Sequence, residues 1–362
     1  MSSMQNNNKD KAYSRSRSNQ PHFKKKKHRG AWITFFIFLV LLIAGLIGAY
    51  NVYTNMQSAA NKAYEPGLKK KERNVANVIA QNKPISILLL GTDTGALGRN
   101  DTGRTDTMIL ATVNPKKETI HLTSIPRDTK VTVPGDSQPF EKINAAYSIG
   151  GADSASQTVQ NLLNVPIDFF AIVNMGGLEK MVDAVGGVTV KPPLTFHYGN
   201  ANVVKDKEIT LNGAAALDYS RMRHQDPAGD YGRQVRQRQV LQKLVLKGMN
   251  ISSLPRYKEI LNSIDGKLKT DMKFDDMVAL REHYGDATHH VHSETLQGET
   301  TMINGIDYEV PTQQELLTVS NNIRKDLGLN TLSTLNNTQD TTSDNSSTNG
   351  TSSNTTGQAT TY

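Results

Sequence analysis

Five arginines fall in one stretch, SRMRHQDPAGDYGRQVRQRQ at 220–239: Arg221, Arg223, Arg233, Arg236 and Arg238. If the chain before residue 230 is extended, Arg221 and Arg223 project to the same side. Asp230 then reads as the cap of a helix with Arg233 in its first turn, where free N–H groups and the positive end of the helix dipole favour an anion. Guanidinium groups in a loop and at a helix start suit bidentate capture of phosphate oxygens. A solvated basic helix face explains the same residues equally well, and spacing alone leaves both open. A second cluster, GTDTGALGRNDTGRTDT at 91–107, lies between two apolar runs, so that Asp93 and Asp106 bracket a loop carrying Arg99 and Arg104. Its glycines are not spaced G-x-G-x-x-G and no helical pattern follows, which weakens a dinucleotide reading. Two carboxylates at neighbouring strand ends can share a divalent cation such as Mg²⁺, which keeps several waters and takes other oxygens from phosphate. Taken singly, an Asp in such a Gly- and Thr-rich loop is more often an ordinary turn residue or cap. In SIPRD at 124–128, Pro126 ends a strand and leaves Arg127 and Asp128 projecting, which by default is a surface ion pair. His283, His289, His290 and His292 offer imidazoles for a metal, but His290 and His292 alternate as on one face of an edge strand.

These side chains need a scaffold. ISILLL (85–90) and TMILATV (107–113) are short apolar runs and TIHLTSI (119–125) alternates, as strands do, with a hairpin turn at Asn114-Pro115-Lys116-Lys117. Helical spacing predicts helices at about 143–149, 153–163 and 174–185, the last carrying Met175, Leu178, Met181, Val182 and Val185 before Gly186-Gly187. A strand fits VTV (188–190), a short helix about 213–219, and a longer one about 231–249 with Val235, Leu241, Leu244, Val245 and Met249 as its apolar side. Strands mixed with helices predict one α/β or α+β domain covered on both faces.

The 362 residues include no cysteine, which removes disulfides, thiolate nucleophiles and iron–sulfur clusters. The first thirty residues hold nine Lys or Arg and one Asp, a net of +8 that exceeds the whole chain's +7 and leaves the remainder at −1. Basicity belongs to that tail, which lacks a helix-turn-helix pattern, so nucleic acid is not the expected partner. Residues 31–50, AWITFFIFLVLLIAGLIGAY, have Thr34 as their only clearly polar side chain and as a helix span about 30 Å of hydrocarbon. Lys24, Lys25, Lys26, Lys27 and Arg29 precede them, so the expectation is a single-pass membrane protein with residues 1–30 cytoplasmic and the rest outside. Residues 51–83 read as a juxtamembrane stalk, 84–328 as the globular domain, and 329–362, rich in Ser, Thr and Asn, as a disordered tail.

GTDT, RTDTMILATVNP, SIPRDT, KINAAYSIGG, VDAVGGV and ALDYSRMRHQDPAGDYGRQVRQ, in that order, closely resemble the LytR-CpsA-Psr proteins of Gram-positive cell envelopes. The resemblance implies a membrane-anchored phosphotransferase that moves an anionic glycopolymer, wall teichoic acid or capsular polysaccharide, from a polyprenyl (undecaprenyl) pyrophosphate carrier to peptidoglycan. It implies a central mixed β-sheet flanked by helices, with an apolar pocket for the polyprenyl chain. Carried over by position, it places Mg²⁺, or Mn²⁺ in its stead, on Asp93 and Asp106. The pyrophosphate falls to Arg104, Arg127, Arg221, Arg223 and Arg233, with Arg236 and Gln237 in the same motif. The sequence departs from the family where Thr94 to Gly98 intervene before Arg99, which leaves Arg99 without an assigned role. Ile87, Leu89, Phe169, Phe170, Met175 and Leu178 are candidates for the lipid pocket, although core packing accounts for most apolar stripes. Asp128 and Asp230 are candidate general bases. A hydrolase of the same pyrophosphate, or a membrane-bound envelope regulator, are the alternatives.

Overall fold

A computed structural model describes residues 29–68, 71–92, 103–249 and 268–335, with backbone alone at 29–41, 44, 175–176, 230 and 248–249. Residues 1–52 and 53–362 are separate units, and helix α1 (Arg29–Ala63) begins in the first and ends in the second. Over the described residues no helix is long and apolar enough to cross a membrane; most side chains of the apolar 31–50 run lie outside that description, although its backbone is helical.

After α2 (Val75–Ala80) come β1 (Ile85–Thr92), β2 (Thr105–Asn114), β3 (Thr119–Ile125), the short β4 (Lys130–Val131) and β5 (Glu141–Lys142), α3 (Ala145–Leu163) and β6 (Phe169–Asn174). Then follow α4 (Met175–Ala184), β7 (Val188–Val190), β8 (Phe196–Tyr198), β9 (Ala201–Val203), β10 (Ile209–Leu211), α5 (Gly213–Arg221) and α6 (Asp230–Met249). The last part holds β11 (Leu268–Thr270), α7 (Phe274–Tyr284), a 3₁₀ turn, β12 (His290–Thr295), the hairpin β13 (Glu299–Ile303) and β14 (Ile306–Val310), and α8 (Gln313–Asp326). The central sheet runs β11-β6-β1-β2-β3-β12, with β1–β6 and β3–β12 parallel and its other pairs antiparallel. Every residue of β1 is buried, as expected of a strand covered on both faces. Alternation sends Leu88, Leu90, Met108, Leu110 and Phe170 to one side, against α3 and α8. Ile87, Leu89, Ile109 and Phe169 go to the other, against α2, Leu241 of α6 and Tyr284 of α7.

The strands expected at 119–125 and 188–190 have those bounds, and Asn114 Oδ1 closes the predicted turn by accepting from Lys116 N and Lys117 N. The two helices expected at 143–149 and 153–163 are halves of α3, broken where Gly151 takes a φ of 67°. Described residues on either side of 69–70, within the 51–83 segment, contact the globular domain. Asp168, fully buried, accepts from Arg73 and from Ser86 N and Oγ, Lys71 pairs with Asp271 at 2.9 Å, and Tyr64 bridges Thr270. Residues 329–335 likewise hold to the domain, because Leu329 and Leu335 pack on the core and Leu332 exchanges hydrogen bonds with Asn321; the rest of the expected tail lies outside the described residues.

Candidate active site

The register of β2 against β3 pairs Met108 with Ile125, so Asp106, two residues before the one, meets Arg127, two residues after the other. Arg127 Nη1 donates to Asp106 Oδ1 at 2.8 Å, while its Nε reaches Asp128 Oδ2 at 3.4 Å. Lys142, on β5, takes the other oxygen of Asp128 at 2.8 Å. On the far side, Arg233 in the first turn of α6 lies 3.7 Å from Asp106 Oδ2. The result is a row of alternating charge, Arg233–Asp106–Arg127–Asp128–Lys142, with one cation in excess. The Asp106 side chain is 9% exposed and those of Arg127 and Arg233 22% and 25%, so their interactions are less screened than those of a surface pair. Asn144 holds the two strand ends together: its N–H donates to Arg127 O at 3.2 Å and its carbonyl accepts from Thr105 N at 3.4 Å.

Two further guanidinium groups, on exposed Arg104 just before β2 and half-buried Arg221 at the end of α5, have no hydrogen bond or ion pair to another described residue. Arg223 is exposed in the loop that follows. Gln237, four residues after Arg233 and therefore on the same side of α6, is 5% exposed, and its Oε1 finds no partner among the described residues. The side-chain oxygen of Asn144 is buried and unpartnered in the same sense. An unpaired buried acceptor costs about 1–3 kcal/mol, a penalty that a ligand's donor removes.

Arg236 is the correction. Its side chain is wholly buried and donates to Tyr219 O at 3.0 Å, to Met222 O and to Asp226, so the protein itself occupies its guanidinium. Asp93 and Arg99 lie outside the described residues. Asp230 is the first residue of α6; in the turn just before that helix, Asp226 Oδ1 takes Ala228 N at 2.8 Å. Of the lipid-pocket candidates, Ile87, Leu89 and Phe169 share one side of the sheet, whereas Phe170 faces the opposite core; Leu178 is buried on α4, and the Met175 side chain is outside the description. His290 and His292 are exposed on an edge strand, and no group of three or more potential metal-ligating residues occurs among the described residues. Lys142 and Asn144 are new. Both lie in the KINAAY segment, whose Lys and Asn spacing carries no chemical signal until β4 and β5 fold it beside Arg127.

Burial pushes the Glu309 carboxyl above its usual range and the charge of Asp128 adds to the rise, partly offset by the Gly298 N–H. Glu309 N also donates to Asp128 O at 2.9 Å, which ties β14 to the end of the charged row.

A mixed sheet whose strand ends deliver guanidinium groups around a half-buried carboxylate is an arrangement suited to phosphate groups. Residues 50–325 match the LytR_cpsA_psr family model, and the chain belongs to that family. It is 41% identical over 295 residues to the Enterococcus faecalis polyisoprenyl-teichoic acid–peptidoglycan teichoic acid transferase TagU, covering 82% of this chain and 96% of that protein. The crystal structure of protein gbs0355 from Streptococcus agalactiae superposes with a TM-score of 0.64 at 37% identity, over 74% of this chain and 95% of that one. A structure of TagT bound to LIIa-WTA superposes with a TM-score of 0.57 at 28% identity, over 73% and 97% of the two chains.

Proposed function

We propose that this protein transfers wall teichoic acid from a polyisoprenyl pyrophosphate carrier to a hydroxyl of peptidoglycan. The observation that carries this reading is Asp106 held between Arg127 and Arg233, in a chain 41% identical to a transferase of that name. In such a reaction the acceptor oxygen forms a bond to the polymer-side phosphorus while the bond to the polyprenyl phosphate breaks. The protein's part is to neutralise charge and align the groups. Arg127 and Arg233 are placed to grip the diphosphate, and Arg104 and Arg221 supply guanidinium groups that no described partner occupies. By resemblance the acceptor is the 6-hydroxyl of N-acetylmuramic acid.

A magnesium ion would take a hard carboxylate oxygen of Asp106 as one ligand, as the family resemblance implies. Asp93 is the second ligand by resemblance, with water and diphosphate oxygens completing the shell. Bound there, the ion would neutralise charge on the diphosphate. Membrane anchoring through 31–50, with the globular domain outside the cell, is part of the same proposal, as is a prenyl site on the Ile87, Leu89 and Phe169 side of the sheet.

A transfer assay with lipid-linked teichoic acid and a peptidoglycan acceptor tests the reading. Polymer joined to glycan is the expected product, and Asp106→Ala should abolish its formation. Free polymer without glycan linkage would establish a hydrolase instead, and full turnover by Asp106→Ala would overturn the assignment of the site.

A further inference from the structure

Arg236 belongs by sequence to the basic cluster but by structure to a buried brace, and the brace has work to do. Its guanidinium closes the C-terminal end of α5 by donating to the carbonyls of Tyr219 and Met222, the two residues that flank Ser220 and Arg221. A helix end leaves such carbonyls without intrahelical partners, and here a single Arg from another helix satisfies two of them. The third contact is an ion pair with Asp226, whose side chain is 5% exposed. Asp226 in turn organises the next turn, accepting from Ala228 N through Oδ1 at 2.8 Å and from Gly229 N through its carbonyl at 2.9 Å. Gly229 O then receives Arg233 N. Gly232 packs so closely on the Asp226 carboxylate that a Cβ there has no space. Beneath the guanidinium lies the Phe196 ring, 5.4 Å from Cζ, itself stacked on Tyr219 at 5.6 Å.

We propose that the Asp226–Arg236 pair is a positioning device that sets Arg221, Arg223 and Arg233 for the diphosphate without touching it. The proposal rests on the pyrophosphate reading above. Arg221 and Arg223 lie between the α5 end that Arg236 holds and the turn that Asp226 holds, and Arg233 hangs from Gly229 at the end of the same turn. A loop fixed at both ends pre-pays the ordering of three long side chains, whereas a loop released at either end must pay it on binding.

Electrostatics gives the test a sign. Asp226 is an anion close to an anion site, so deleting its charge strengthens diphosphate binding if charge alone matters. A positioning role demands the opposite. Geranylgeranyl diphosphate binding to the detergent-solubilised full chain should weaken about tenfold or more in Asp226→Asn and in Arg236→Lys. Asp226→Glu should recover part of the loss. In the Arg233→Ala background the Asp226→Asn effect should shrink, because one of the groups being positioned is gone. Hydrogen exchange is the independent readout: amides of 221–233 should lose protection in Asp226→Asn while those of β1 and β2 keep theirs. Unchanged or tighter binding by Asp226→Asn, or unchanged exchange at 221–233, overturns the brace. If Asp226→Asn fails to fold, Phe196→Leu, which removes only the ring beneath the guanidinium, should show the same pattern in milder form, and wild-type binding by it overturns the proposal. Wild-type protein that ignores the diphosphate, with exchange still lost at 221–233, removes the pyrophosphate reading and keeps the brace as architecture.

Discussion

Replacing Arg73 with methionine, which keeps the side chain's length and removes its charge, tests how firmly the segment after α1 is joined to the domain. Asp168 is fully buried, and Arg73 donates to it twice, through Nε at 2.6 Å and through Nη2, while Nη2 also reaches Pro84 O at 2.9 Å. Breaking a buried pair on one side costs about 3–5 kcal/mol, because the remaining carboxylate keeps its desolvation penalty and loses its counter-charge. Ser86 N and Oγ go on donating to Asp168 at 2.8 and 3.1 Å, so the lower end, about 3 kcal/mol, is the expected loss. For a domain of this size each kcal/mol moves the melting temperature by about 2–4 °C, which makes the expected drop roughly 6–12 °C. Thermal unfolding followed by circular dichroism reads it directly. Arg73→Met, Asp168→Leu should recover part of the drop, because no charge is then left buried. A single-variant shift under about 2 °C would show that the Arg73–Asp168 pair does not fasten this segment to the domain.

Arg127→Ala should lower kcat/KM for polymer transfer by about a hundredfold or more with little change in melting temperature, since the lost guanidinium serves the diphosphate more than the fold; kinetics within threefold of wild type would contradict this. Arg127→Lys should restore little, since one ammonium cannot address Asp106 and Asp128 as the two edges of a guanidinium do. His121 gives a pH dependence. Its hydrogen bond to Asp326, 2.7 Å away, raises its pKa above 6.5 against the opposing effect of burial, and the charges of Glu294 and Asp326 add to the rise. The folded value exceeds the unfolded one, so this stabilisation is complete below about pH 6.5 and is lost as pH climbs through the folded value. For Asp326, burial works upward, but His121 first and then Lys117 and His292 outweigh it, so its share is present above about pH 4 and lost on acidification. His121→Gln should therefore flatten the decline in melting temperature as pH rises above about 6.5, and a variant curve parallel to wild type would refute this.

Much of this was legible in the chain because local signals and tertiary demands agree. TIHLTSI alternates, Asn114 can fold back on its own turn, and the spacing of Arg221, Arg223 and Arg233 around a helix start left an anion site and a solvated basic face equally open. β6 escaped because FFAIVN is covered on both faces and shows no period of two. The meeting of Asp106 with Arg127 depends on strand register, and register is a property of the pair that neither strand carries alone. Arg236 is the instructive failure. Residue type and motif gave it to the ligand, and only the packing of Asp226, Phe196 and the α5 carbonyls reveals that its charge is already spent. The Arg73 contact was not legible either, because its partner Asp168 lies 95 residues away.

The central claim is that one diphosphate is held by groups from β2, β3 and α6 together. Crystals of the protein grown with a prenyl diphosphate and Mg²⁺ answer it most directly. The account predicts phosphate oxygens within hydrogen-bond distance of Arg127 and Arg233, metal density against Asp106, and the prenyl chain leading toward the Ile87 and Phe169 side of the sheet. A diphosphate seated elsewhere, with the Arg233–Asp106–Arg127 row intact and empty, would contradict it.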